Sequence, residues 1–450
     1  MPPSSSTPEP IGLFDEVLAR GGVREATGDR AWLQAMLDAE AGLAWALADA
    51  EVIEASAAEA INAACRAERF VVADLATRAA ASGNPVVPLV RALTDAVAAP
   101  AAGHVHRGAT SQDIIDTAMM LIARDALDVL IEDLAGAADE AARLARTHRD
   151  LAMPARTLLQ QAVPTTFGCR AAGWMTGLDT VATRLRSVRA SGLPVQLGGA
   201  AGTLASLGDA GPRVVAAFAR RVGLIEPVLP WHTVRTPVGE LAGTLGVTAG
   251  VCGKIARDVT LLAQTEVGEV SEGVQGRGGS STMPHKHNPV AAIATVAAAT
   301  TAPGLVSTLL TAMTAELERA AGAWHAEWMA WTDLLRVTGS AAAWLRDCLT
   351  NLDVHADRMR ANLALTGGAV LAQRVVTALT DEMGRLEAHD LVRRASNRAA
   401  ARSTDLFTEL SAMPQVSEVC GRDELRRLLD PDDAVGTAAA LVDRALARRA

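Results

Sequence analysis

The sequence predicts an all-α protein built around a long helical bundle, and three observations carry that prediction. Apolar residues recur at helical spacing over long stretches, as in Ala31 to Ala50, Ile114 to Thr147, Val238 to Val270 and Ser340 to Leu365. Strand-like alternation between them is scarce. The intervening positions hold Ala, Leu, Arg and Glu, which are good helix formers. Their abundant alanine leaves a thin side-chain layer, so helices approach closely and a bundle is favoured over a globin-like cluster.

Along the chain the helical runs are interrupted at Gly83-Asn84-Pro85 and Gly103, at Met153-Pro154, at Gly192 to Gly211, at Pro227 to Thr236, at Gly273 to Pro289 and near Gly367-Gly368, where glycine and proline punctuate the pattern. With 450 residues the chain exceeds one ordinary core. The breaks group into three helical domains: an N-terminal one over 1–102, a central bundle over 103–352 and a C-terminal one over 353–450. The opening MPPSSSTPEP has neither a basic nor an apolar run and reads as a frayed tail instead of a secretory signal.

Composition narrows the function. The net charge of -9, from 42 basic and 51 acidic residues without any basic block, argues against a nucleic-acid partner. Cys65, Cys169, Cys252, Cys348 and Cys420 are scattered without a CxxC pair, which suits a reducing cytoplasm and reads as small buried hydrophobes. Val290 to Ala315 lacks charge over 26 positions, long enough to cross a bilayer. Its six threonines, its alanines and the Pro303-Gly304 break transfer poorly into lipid, so the expectation is no membrane span but a helix buried on all sides in a bundle. Tyrosine is absent, which excludes a tyrosyl acid or base.

Three short polar islands interrupt the alanine-rich background, each placed at a helix boundary. In His104 to Asp113, Thr110 or Ser111 can cap a helix with Asp113 in its first turn, and the same N–H groups could accept an anion. A merely capped helix explains that segment equally well. In Arg156 to Gln160, Arg156 and Gln160 would share one face if the segment is helical and could bind a carboxylate, or be a solvated edge. The third, V-Q-G-R-G-G-S-S-T-M-P-H-K-H-N-P, is the strongest: its glycines loosen the backbone, and Pro284 and Pro289 keep Lys286 and Asn288 out of a helix. It lacks the spacing of a phosphate-cradling loop. His104-x-His106 and His285-x-His287 have no acidic or thiolate companions nearby, so no metal site is expected.

Gly279 to Pro289 as G-S-S-T-M-P-H-K-H-N-P resembles the G-S-S-x-M-P-x-K-x-N-P loop of the fumarase/aspartase superfamily, and the other islands fall where that superfamily has its remaining conserved regions. The resemblance implies a three-domain, all-helical protomer, a homotetramer with shared active sites, and Val290 to Ala315 as intersubunit core. It implies that Ser281, with Ser280 as second choice, moves a proton at the carbon beside a substrate carboxylate. Lys286 and Asn288 would hold that carboxylate and stabilise the aci-carboxylate. Thr110, Ser111, Thr157 and Gln160, together with Arg156 and His106, match substrate-binding positions, and no cofactor is implied.

One departure is informative. Several relatives read R-T-H-x-Q where this chain reads Arg156-Thr157-Leu158-Leu159-Gln160, so Leu158 stands in place of the histidine that handles the leaving-group proton. An amine or hydroxide leaving group needs that proton; a carboxylate, with a conjugate-acid pKa of about 4, does not. His106 to Ala118, Gly83 to Val90, Gln196 to Ala205 and Leu229 to Thr233 resemble the 3-carboxy-cis,cis-muconate cycloisomerases of bacterial protocatechuate breakdown, although Arg107 sits where a Trp is expected. The implied activity is lactonisation of a small tricarboxylate. A fumarate-releasing lyase acting on adenylosuccinate or argininosuccinate, and an inactive helical scaffold or metal-binding protein, are the alternatives.

Overall fold

Alanine and leucine at helical spacing produce the long helices that the sequence predicts. The computed structural model describes residues 12–449, so the expected tail over MPPSSSTPEP lies outside the described residues. Five long helices, Ser111–Thr147, Phe167–Ser191, Thr236–Leu262, Val290–Ala312 and Ala323–Thr350, form the central part of the chain. Before them the helix Asp29–Asp49 buries Leu33, Leu37, Leu43 and Leu47 along one stripe and packs on Gly211–Val222.

The chain divides into two compact units. One comprises residues up to Ala135, Thr180–Lys254 and Ala294–Leu345; the other comprises Gly136–Asp179, Ile255–Ile293 and everything from Arg346 onward. Each of the five long helices contributes residues to both. Within the second unit the C-terminal segment has a core of its own, in which Val375, Leu379, Leu391, Val392, Leu406 and Leu410 are buried together.

Strands are few. β1 (Ala152–Thr157) and β2 (Gln160–Thr166) form an antiparallel hairpin, and β3 (Val270–Glu272) pairs with β4 (Leu352–Val354). The hairpin corrects the helical reading of Arg156 to Gln160. Pro154 faces Pro164 across the ladder, Thr157 faces Gln160 and Arg156 faces Gln161, so Arg156 and Gln160 lie on opposite faces of the ribbon. Prolines at paired positions and the run Val163-Pro164-Thr165-Thr166 favour extended backbone over helix. Leu158 and Leu159 make the two-residue turn with φ of 50° and 65°, the geometry of a tight hairpin that Asn-Gly usually supplies.

The charge-free segment is also not as expected. The helix runs through Pro303 to Ala312 without breaking, although Pro303 removes one backbone donor from its interior. Only 33% of its most apolar window is buried within the chain, and Ile293 and Leu310 are nearly half exposed. It is the one helix among the described residues long and apolar enough to cross a membrane. Four of the five cysteines are buried, Cys169 is half-buried, and all are free thiols. Burial pushes the Cys65 and Cys252 thiols up to about 12.

Candidate active site

The first polar island is organised by one carboxylate. The helix begins at Ser111, and the backbone N–H of Thr110 donates to Asp113 Oδ2 at 2.9 Å, as an N-terminal cap requires. Asp113 is fully buried and also accepts from Gly198 N at 3.0 Å and Gly199 N at 2.9 Å, while His232 Nε2 lies 2.6 Å from its Oδ1. Gly198 leaves room for this, since a Cβ there would collide with His232 and Pro230. The side-chain hydroxyls of Thr110 and Ser111 have no hydrogen-bond partner among the described residues and are half-buried, which leaves them available to a ligand.

One turn along the helix, Asp116 anchors a second buried set. Arg235 reaches it at 2.5 and 3.0 Å and contacts Glu327 with Nε at 3.0 Å and with Nη2. Gln112 and Gln196 each donate to Asp116 at 3.1 Å, and Trp324 Nε1 donates at 3.0 Å. Burial raises the Glu327 carboxyl above its ordinary value, although Arg235 opposes the shift. Arg319 donates to the carbonyls of Gly199 and Ala200 at 2.7 and 2.9 Å. Thus Gln196-Leu197-Gly198-Gly199 and Trp231-His232 are strapped to the start of the Ser111 helix.

His106 sits just before that helix in a left-handed conformation, φ 58°. Its Nδ1 is 2.6 Å from Oε1 of the buried Glu40. Burial works against a charge on the ring, but Glu40 and then Asp113 outweigh it and raise the His106 pKa. Arg107 turns to His104 Nδ1 at 3.2 Å.

In the other unit, Arg156 makes a bidentate pair with the buried Glu269, 2.9 and 2.6 Å, and Asn362 donates to the same carboxylate at 2.7 Å. Arg156 therefore braces the hairpin. Thr157 and Gln160 lie opposite each other beside the exposed Leu158 and Leu159.

The third island forms the loop 273–289. Its neck is closed where Asn288 N and Nδ2 both donate to Gly278 O, at 2.8 and 2.9 Å. Its stems are tied by Glu272, which accepts from Ala291 N and Ala292 N at 3.1 and 2.9 Å, and by Arg277, 2.7 Å from Asp347. The two serines differ. Ser280 Oγ accepts from Met283 N at 3.1 Å and Thr282 N at 3.3 Å, stabilising the local turn, whereas the exposed Ser281 hydroxyl has no partner among the described residues. Lys286 is also exposed.

The structure thus groups His106, Thr110 and Ser111 in one unit, and Arg156, Thr157, Gln160, Ser280, Ser281, Lys286 and Asn288 on two segments of the other. A groove of about 710 Å³ lined by Gln373, Thr377, His389 and Arg393 holds none of them. Glu40, Asp116, Gln196, His232, Arg235 and Glu327 also build this frame, and the sequence alone does not mark them as site residues. Glu40 alone left a local signal, as a carboxylate on the buried Leu33-Leu37-Leu47 stripe.

Comparison with known proteins agrees with this frame along its whole length. Residues 19–304 match a family model described as lyase, and residues 368–445 match one described as adenylosuccinate lyase C-terminus. The 3-carboxy-cis,cis-muconate cycloisomerase of Bradyrhizobium diazoefficiens is 47% identical over 438 residues, covering 96% of this chain and 97% of that protein. Nitrosuccinate lyase of Streptomyces davaonensis is 48% identical over 447 residues, covering 97% and 94%. The crystal structure of 3-carboxy-cis,cis-muconate lactonizing enzyme from Pseudomonas putida superposes with a TM-score of 0.91 at 43% identity, covering 97% of this chain and 98% of that one. The serine loop, the capped Thr110-Ser111 helix start and these end-to-end matches have one explanation: the chain belongs to the fumarase/aspartase superfamily.

Proposed function

We propose that the protein is a cycloisomerase that closes 3-carboxy-cis,cis-muconate to 4-carboxymuconolactone. Leu158 carries this reading against lyases whose leaving group needs a proton. It occupies the hairpin apex where relatives of the superfamily place a proton-handling imidazole, and it is 98% exposed. In lactonisation the substrate's own carboxylate attacks as an anion, forming the ring C–O bond without a base. One proton must then reach the carbon beside the acceptor carboxylate. Ser281, whose hydroxyl is free of the turn that occupies Ser280, delivers it, and Lys286 holds the negative charge that accumulates on that carboxylate. Asn288 keeps the loop neck closed and retains a second amide hydrogen for substrate. His106, Thr110, Ser111, Thr157 and Gln160 bind the remaining carboxylates, with Arg156 fixing the hairpin. The reaction is redox-neutral and requires no cofactor.

The largely uncovered Val290–Ala312 helix supports a homotetramer with shared sites, because an apolar face of that length needs a partner. Free thiols in all five cysteines support a cytoplasmic location. The self-contained core around Val375 and Leu391 supports a separate C-terminal domain over 353–450.

The 48% identity to a nitrosuccinate lyase favours a second reading. Nitrite also departs as an anion, so elimination from nitrosuccinate likewise dispenses with an imidazole at position 158. One pair of assays separates the two. The purified protein is incubated with 3-carboxy-cis,cis-muconate while diene absorbance is followed, and with nitrosuccinate while nitrite is measured. Loss of the diene without nitrite release is the expected result; nitrite release with a persistent diene would replace the first reading by the second.

A further inference from the structure

We propose that Glu40 is the positioning residue for His106: it grips the ring through Nδ1 and leaves Nε2–H to bind a carboxylate of the substrate. The inference deepens the reading of His106 as a substrate contact and rests on it.

Four observations carry it. Glu40 lies mid-helix on the buried face of Asp29–Asp49, 1% exposed, where a carboxylate is costly unless paired. Its Oε1 is 2.6 Å from His106 Nδ1, while Oε2 has no hydrogen-bond partner. A buried carboxylate with one oxygen unmatched is best compensated when its single partner carries a full positive charge. His106 Nε2 has no partner among the described residues, and the side chain keeps 19% of its surface exposed. The backbone at His106 is left-handed, φ 58°, a strained conformation that persists where surrounding contacts dictate it.

The charged and titratable groups facing the ring agree. Glu40 from the Asp29–Asp49 helix and Asp113 from the Ser111–Thr147 helix both favour the imidazolium. Asp113 is already engaged by His232, Gly198 and Gly199, so Glu40 is the residue left to orient the ring. Arg107 turns to His104. Cys65, whose thiol burial and Glu40 push up to about 12, stays neutral and does not compete.

The test uses the intact protein and tricarballylate, a saturated tricarboxylate with no double bond to react, with affinity measured by calorimetry from pH 6 to 9. Glu40→Gln keeps the shape of the side chain and removes its charge. It should weaken tricarballylate about tenfold near neutral pH, matching His106→Gln, and the double variant should lose little more. It should also shift the alkaline loss of affinity to lower pH, whereas Glu40→Asp should restore part of it. An unshifted pH profile in Glu40→Gln, with His106→Gln impaired, overturns the role of Glu40 and leaves the substrate contact standing. Unchanged affinity in His106→Gln overturns both. If Glu40→Gln does not fold, the wild-type profile decides: affinity that falls at the pH of an ordinary imidazole, about 6.5, refutes the proposal.

Discussion

The carboxylate of Asp113 and the ring of His232, 119 residues apart in sequence, meet at 2.6 Å in a fully buried setting. Around that contact Asp113 also holds Gly198, Gly199 and Thr110. Asp113→Ala leaves those backbone N–H groups without their acceptor and should therefore cost about 1–3 kcal/mol for each donor left buried and unmatched. Denaturant unfolding measures it, and a wild-type midpoint would mean that the frame is held by other contacts.

Arg235 stands between Asp116 and Glu327, all three nearly inaccessible to solvent. Arg235→Met leaves two buried carboxylates facing each other and should cost about 3–5 kcal/mol at neutral pH. The sign of the pH dependence follows from Glu327, whose carboxyl is raised by burial even with Arg235 present. A carboxyl that binds its proton more tightly when folded loses stability as pH rises from the unfolded value, 4.5, through the folded one. The variant should therefore unfold at a higher temperature in mild acid than at pH 7; a melting temperature that rises with pH across this window would contradict the assignment.

Gly278 has φ of 79°, and a Cβ there would run into the carbonyl oxygen of Asn288. Gly278→Ala should open the neck of the serine loop. Turnover is expected to fall at least about tenfold and stability by about 1 kcal/mol or more, because alanine cannot adopt this left-handed position without strain. Parallel kinetics and thermal melts check both halves.

The serines can be separated in the same assay. Ser281→Ala should lower kcat about 100-fold or more with KM little changed, as loss of a proton donor does. Ser280→Ala removes only contacts within the local turn and should leave kcat within about tenfold of wild type. The reverse order would transfer the proton to Ser280.

Ile293 lies near the start of the charge-free helix and is 49% exposed within the chain. If the proposed homotetramer is sealed by this helix, Ile293→Glu should destabilise it and shift the sedimenting species to smaller forms. A wild-type sedimentation coefficient would place the interface elsewhere.

The helices and the serine loop were legible in the sequence because their signals are local. Apolar spacing marks the Ser111–Thr147 helix, and Pro284 and Pro289 forbid helix around Lys286. The β-hairpin was not legible, since Leu158-Leu159 carries none of the Asn or Gly that announces a two-residue turn. Asp116, the neighbours His232 and Arg235, and Glu327 lie on three separate segments, and only folding brings these segments together. The extent to which Val290–Ala312 stays uncovered was hidden for a related reason: composition reveals apolarity but not what packs against it.

Glu272 has a consequence for charge recognition. Its carboxylate already occupies Ala291 N and Ala292 N, so the positive pole of the helix dipole that begins there is neutralised from within the protein. A substrate anion arriving at the loop finds no vacant amide pole at that point. In the proposed site its attraction has to come from a side chain, and on this loop Lys286 carries the cation that Glu272 and Asp347 do not already claim from Arg277.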